Sequence, residues 1–107
     1  MTRENLNSMV HRLCHSGTNV LLLQYAVLPN PESPAWTHLA GNNQLIEEVA
    51  RKYTVPTQPL QPYFDEAIRT NAHRKLVNPI DGVHLAPGGE MLVARAVFRA
   101  FVDRGWI

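Results

Sequence analysis

Along residues 4–15 the apolar positions Leu6, Met9, Val10 and Leu13 recur at i, i+3, i+4 and i+7, which predicts a helix with one apolar stripe. Ser16-Gly17 ends it, and glycine suits the left-handed conformation that closes a helix. Residues 19–28 hold the continuous run Val20-Leu21-Leu22-Leu23, then Tyr25, Ala26 and Val27. A short unbroken apolar run predicts a strand covered on both faces. Pro29, Pro31 and Pro34 predict a loop over 29–41. Asn42 or Asn43 then caps a helix over 43–53, with Leu45, Ile46, Val49, Ala50 and Tyr53 inward. On its outer side Glu47-Arg51 and Glu48-Lys52 are spaced as i,i+4 ion pairs. A short strand is predicted over 54–58, a helix over 63–73 with Phe64, Ala67 and Ile68 inward, and a turn-rich loop over 78–89. The last helix, about 88–103, is apolar around most of its circumference, with Arg95, Arg99 and Asp103 as a narrow polar stripe, so it is expected to be largely buried.

Helices alternating with strands predict an α/β fold, a parallel sheet with helices on both faces. Two strands are too few for a stable sheet of that kind, so the 107 residues read as one partial domain. The net charge of +1, from scattered basic residues, gives no footprint for nucleic acid or for a membrane surface. The longest apolar run, Val20–Leu23, is far too short to span a bilayer. The polar start Met1-Thr2-Arg3-Glu4-Asn5 lacks the apolar core of a signal peptide, and Cys14 has no partner for an intramolecular disulfide; a cytoplasmic location is expected.

The chemistry concentrates at Asp81 and His84, three residues apart in a loop that leads into a helix. A carboxylate so placed can accept a hydrogen bond from one imidazole nitrogen and fix the tautomer, leaving the other nitrogen to take a proton from a hydroxyl. Gly82 between them allows a backbone shape that other residues resist. The plain alternative is that Asp81 only caps a turn.

The segment Asp81-Gly82-Val83-His84-Leu85, with Gly88 or Gly89 a few residues on and the apolar helix from Met91 to Val102, resembles the final block of the SGNH (GDSL-type) ester hydrolases. The preceding helix, strand, proline-bearing loop, Asn-opened helix and short strand follow that family's order, so the resemblance covers essentially the whole chain. It implies a partial three-layer α/β/α, flavodoxin-like fold and carboxylic ester hydrolysis or deacylation. His84 would be the general base and Asp81 its orienting partner. No metal or organic cofactor is implied, and the substrate would be an ester or an acylated small molecule. The family's Gly-Asp-Ser block and its Gly and Gly-x-Asn-Asp oxyanion blocks do not occur here. Ser8 lies on the first helix, Ser16 at its end and Ser33 in the proline loop; none has a nucleophile's strand-to-helix setting. The chain is expected to be inactive alone, with the rival that it is a truncated, non-catalytic or partner-dependent interaction chain. The Val20–Leu23 strand is expected to have an edge without a neighbour, which invites self-association or docking on a missing N-terminal half.

His11, Cys14 and His15 have the spacing of metal ligands on one helix face, but the apolar stripe turns both histidines to solvent and no second ligand cluster follows. Trp36 and His38 either line a substrate pocket or anchor a loop, and Trp106 reads as a packing residue.

Overall fold

The computed structural model describes residues 2–27, 35–70, 76–77 and 84–107. Within them the order is α1 (Arg3–His15), β1 (Leu22–Gln24), α2 (Ala35–Tyr53), β2 (Thr57–Pro59), α3 (Gln61–Thr70) and α4 (Pro87–Asp103). β1 and β2 pair in parallel, Leu22 opposite Thr57 and Gln24 opposite Pro59. The architecture is α/β with helices on both faces. Leu22 faces one layer, where Leu6 and Val10 of α1 meet Ile46 and Val49 of α2. On the other face Leu60, Phe64 and Ala67 pack with Leu76 and with Leu92 and Ala96 of α4. Alternation along a strand explains the division, since successive side chains leave it on opposite sides.

α1 begins where the Thr2 hydroxyl accepts the Asn5 N–H and ends with Gly17 at φ +77, as the glycine predicted. Its stripe is narrower than the periodicity suggests: Leu6 and Val10 are buried, Met9 and Leu13 exposed. Expected and observed helices differ most at α2, which starts at Ala35, so residues 35–41 are helical rather than a loop. A proline restricts the residue before it far more than those after it. Ala-Trp-Thr-His-Leu-Ala follows Pro34 without a breaker, and Gly41 has nothing near enough to disturb. Asn42 and Asn43 are therefore interior helix residues, not caps. Of the two expected ion pairs, Glu47–Arg51 forms at 3.4 Å, whereas Glu48 meets Arg3 at 3.0 Å and Lys52 meets the Asn7 amide oxygen at 3.0 Å. Those two contacts tie α1 to α2 at an exposed surface, where each is worth little.

α2 ends through Thr54 at φ 53, with the Val55 N–H donating to Ala50. A β-branched residue in that region is strained, and the sharp exit delays β2 to Thr57. α3 starts two residues earlier than predicted because Pro62 suits a first turn. α4 buries Gly89, Leu92, Ala96 and Ala100, yet leaves Met91, Phe98 and Val102 at 51%, 63% and 45% exposure. The expectation of a largely buried last helix fails because no described residue packs on that side. β1 is likewise only half-buried, where a fully covered strand was expected. No described helix is long and apolar enough to cross a membrane.

Candidate active site

Chain direction brings the carboxyl end of β1 to the segment that holds His84. Two side-chain amides fix the strand as it leaves the sheet. The Asn43 amide oxygen accepts the Tyr25 N–H at 2.7 Å while its nitrogen donates to the Tyr25 carbonyl at 2.8 Å. Gln61 does the same for Val27, at 2.7 and 3.0 Å. Each amide presents one donor and one acceptor to a backbone unit, as a neighbouring strand would. The Gln24 amide adds a bond of 3.1 Å to Glu47. Asn43, read from sequence as a helix cap, is thus a clamp on β1, and Gln61 was not foreseen at all. The only signal for either was an amide on a helix beside a strand end, which periodicity does not reveal. Asn43→Ala is expected to lower unfolding free energy by about 1–2 kcal/mol, from two exposed hydrogen bonds of modest net worth, in urea titrations followed by circular dichroism.

The motif loop rests on a second fixture. Val77 and Leu85 form an antiparallel bridge, and the Ala86 N–H donates to the Leu76 carbonyl at 3.0 Å. Gly89, in the first turn of α4, lies so close that a Cβ there would overlap the same carbonyl oxygen. The bridge presents His84 at the edge of a hollow of about 480 Å³, lined also by Leu23, Tyr25, Leu39, Phe64 and Leu85. His84 is exposed and also borders this apolar hollow. An imidazole in that position can exchange a proton with a group seated in the cavity. Asp81, the other candidate catalytic residue, lies outside the described residues, as do Gly82 and Ser33.

The described serines are not beside His84. Ser8 is exposed on α1, and Ser16 donates to the Leu13 carbonyl and shares a 2.9 Å hydrogen bond with Thr18, at the opposite end of β1 from the hollow. His38 sits exposed in the first half of α2, while Leu39 beside it, in the segment expected to be a loop, lines the hollow. The rings of His11 and His15 lie 4.5 Å apart on the outside of α1, and Cys14 packs partly against the α1–α2 core. Among the described residues no three of His, Cys, Asp and Glu gather as metal ligands would. Trp106 packs edge-on against Phe101 at 5.3 Å.

No protein-family model matches the sequence, and no curated protein does. Solved structures do match. One is LAE5, an alpha/beta hydrolase enzyme from the metagenome of Lake Arreo, Spain, with a TM-score of 0.74 and 22% identity over 92% of this chain. Another is the acetyl-xylooligosaccharide esterase Axe2 of Geobacillus stearothermophilus; a variant with one arginine replaced by alanine has a TM-score of 0.71 and 20% identity over 91% of this chain. Catalytic mutants of Axe2 in which a histidine or a serine is replaced by alanine match at the same TM-score. The fold is thus one found among α/β hydrolases, and this chain spans 44% of the length of each of these proteins.

Proposed function

We propose that this chain is the His-Asp portion of a serine ester hydrolase of the SGNH type. His84 is its general base and then general acid, Asp81 orients the imidazole, and the serine and oxyanion donors come from outside these 107 residues. The observation that carries this reading is the position of His84, at the mouth of an apolar hollow beside the carboxyl end of a parallel strand. Open α/β sheets bind ligands there. The likeness to esterases for which a serine and a histidine are both named catalytic supports the same roles, because a histidine base needs a hydroxyl to activate. The substrate is then a carboxylic ester or acylated sugar, with its less polar part in the hollow.

Two measurements test the reading. The purified chain is expected to show no hydrolysis of p-nitrophenyl acetate beyond that of His84→Ala. A rate that His84→Ala abolishes would place a nucleophile inside this chain and overturn the claim of an outside serine. Nitrogen-15 spectra of His84 are expected to show one dominant imidazole tautomer, lost in Asp81→Ala. Identical tautomer populations in the two proteins would remove Asp81 from its role. The location of Ser16 at the far end of β1 favours a second reading, a non-catalytic chain that only binds a partner. A single His84 tautomer that depends on Asp81 speaks against that reading.

A further inference from the structure

Two histidines on the outer face of α1 serve neither the core nor the hollow. His11 and His15 lie one helical turn apart, and both are exposed. Side chains at i and i+4 stand over one another on a helix surface. Here the rings already meet, with centroids 4.5 Å apart and planes tilted by 35°. His11 also leans on the ring of Tyr53, the last residue of α2, at 5.9 Å, so a second helix supports it from the side. Among the described residues neither imidazole has a hydrogen-bond partner. The helix beneath them is fixed by the Thr2 cap and by the burial of Leu6 and Val10. The pair therefore sits on a rigid frame and keeps its ring nitrogens available.

We propose that His11 and His15 chelate one divalent transition-metal ion through a nitrogen of each ring, with water completing the coordination. Imidazole suits zinc, copper and nickel, and two histidines at i, i+4 on a helix are a known zinc-binding pair. A zinc–nitrogen bond is about 2.0–2.1 Å, so the two nitrogens need to stand roughly 3 Å apart. Rings with centroids 4.5 Å apart reach that separation by turning about their own side-chain bonds, where the torsion next to an imidazole is soft. Cys14, at i+3 from His11, packs against the α1–α2 core and is not a ligand. The Lys52 ammonium, 5.5 Å from the centre of the Tyr53 ring, opposes a bound cation, and solvent screens it at this exposed surface. The ion has a structural consequence. It links the last two turns of α1, where the Ser16 N–H donates to the Arg12 carbonyl and the Thr18 N–H to the Leu13 carbonyl, each at 3.1 Å. A metal held there staples the end of the helix at the point where the chain turns toward β1. The site lies on the α1 layer and is independent of the ester-hydrolase reading.

The experiment titrates zinc chloride into the chain and into Cys14→Ser, and follows the imidazole resonances of the five histidines. One equivalent is expected to move the signals of His11 and His15 together, in both proteins, and to leave those of His38 and His84 in place. His11→Gln and His15→Gln are each expected to weaken binding by roughly 10-fold or more, because the second ring acts at the high effective concentration the helix imposes. Both replace an exposed side chain, and circular dichroism checks that the fold is kept. With zinc at about ten times its dissociation constant, the Ser16 and Thr18 amides are expected to exchange roughly 10-fold more slowly, as for a ligand that binds only the closed helix end. Three results overturn the proposal. The shifts could spread evenly over all five histidines, the mark of an adventitious ion only. Binding could survive His15→Gln unchanged. Binding could vanish in Cys14→Ser, which would assign the ion to the thiol.

Discussion

Phe64→Ala is expected to destabilise the fold by about 3–5 kcal/mol, the usual cost of emptying a buried aromatic site. Phe64 is 2% exposed and sits where α3 meets α4, among Leu60, Ala67, Leu76, Leu92 and Ala96. Its neighbours come from four segments, so no single one can move in to fill the space without losing contacts elsewhere. A domain of this size has total stability of about 5–15 kcal/mol, and a chain whose α4 and β1 are partly uncovered stands at the low end. Urea unfolding followed by circular dichroism reads the loss directly where the variant still folds. Phe64→Leu, which keeps most of the volume, is expected to fold and to lose about 1–2 kcal/mol. Equal stability of Phe64→Leu, Phe64→Ala and the parent chain would mean that the α3–α4 core does not carry the fold.

How much of this was legible in the sequence depended on whether a local signal decided the structure. α1 and its glycine stop were readable because the stripe and the left-handed residue are both local. The order of elements, and with it the α/β class, followed from alternating periods. The start of α2 was not, because three prolines were taken to silence the residues behind them, although a proline acts mainly on what precedes it. Burial of α4 was misjudged for a different reason. An apolar circumference states what a helix would bury, while actual burial depends on which partners are present. At the site, the motif singles out His84, and the structure places that residue at the edge of a hollow. The amide clamps of Asn43 and Gln61 were illegible, because they join residues 18 and 34 positions apart in sequence. Counting strands led to the expectation of an edge without a neighbour, and among the described residues β1 pairs with β2 alone.

Gly89→Ala is expected to lose at least about 1–3 kcal/mol, the range for forcing one extra carbon into a packed site. Glycines elsewhere in helices usually behave in the opposite way, and Gly41 supplies the contrast within this chain. Nothing lies within 4 Å of where a Cβ would stand on Gly41, which is in α2. Gly41→Ala is therefore expected to gain about 0.4–1 kcal/mol by restricting the unfolded chain and favouring the helix. At Gly89 the added carbon meets a backbone carbonyl, not the mobile end of a side chain. That carbonyl, of Leu76, also accepts the Ala86 N–H beside the Val77–Leu85 bridge. The helix cannot retreat without drawing on the bridge, and His84 is joined directly to Leu85. The effect should thus reach the site: the ring-proton resonances of His84 are expected to move in Gly89→Ala and to stay in place in Gly41→Ala. A Gly89→Ala protein as stable as its parent, with His84 resonances unmoved, would show that the first turn of α4 does not set the position of the histidine. The requirement for glycine here comes from how closely a helix approaches the segment beneath it, and the same approach aims His84 at the hollow.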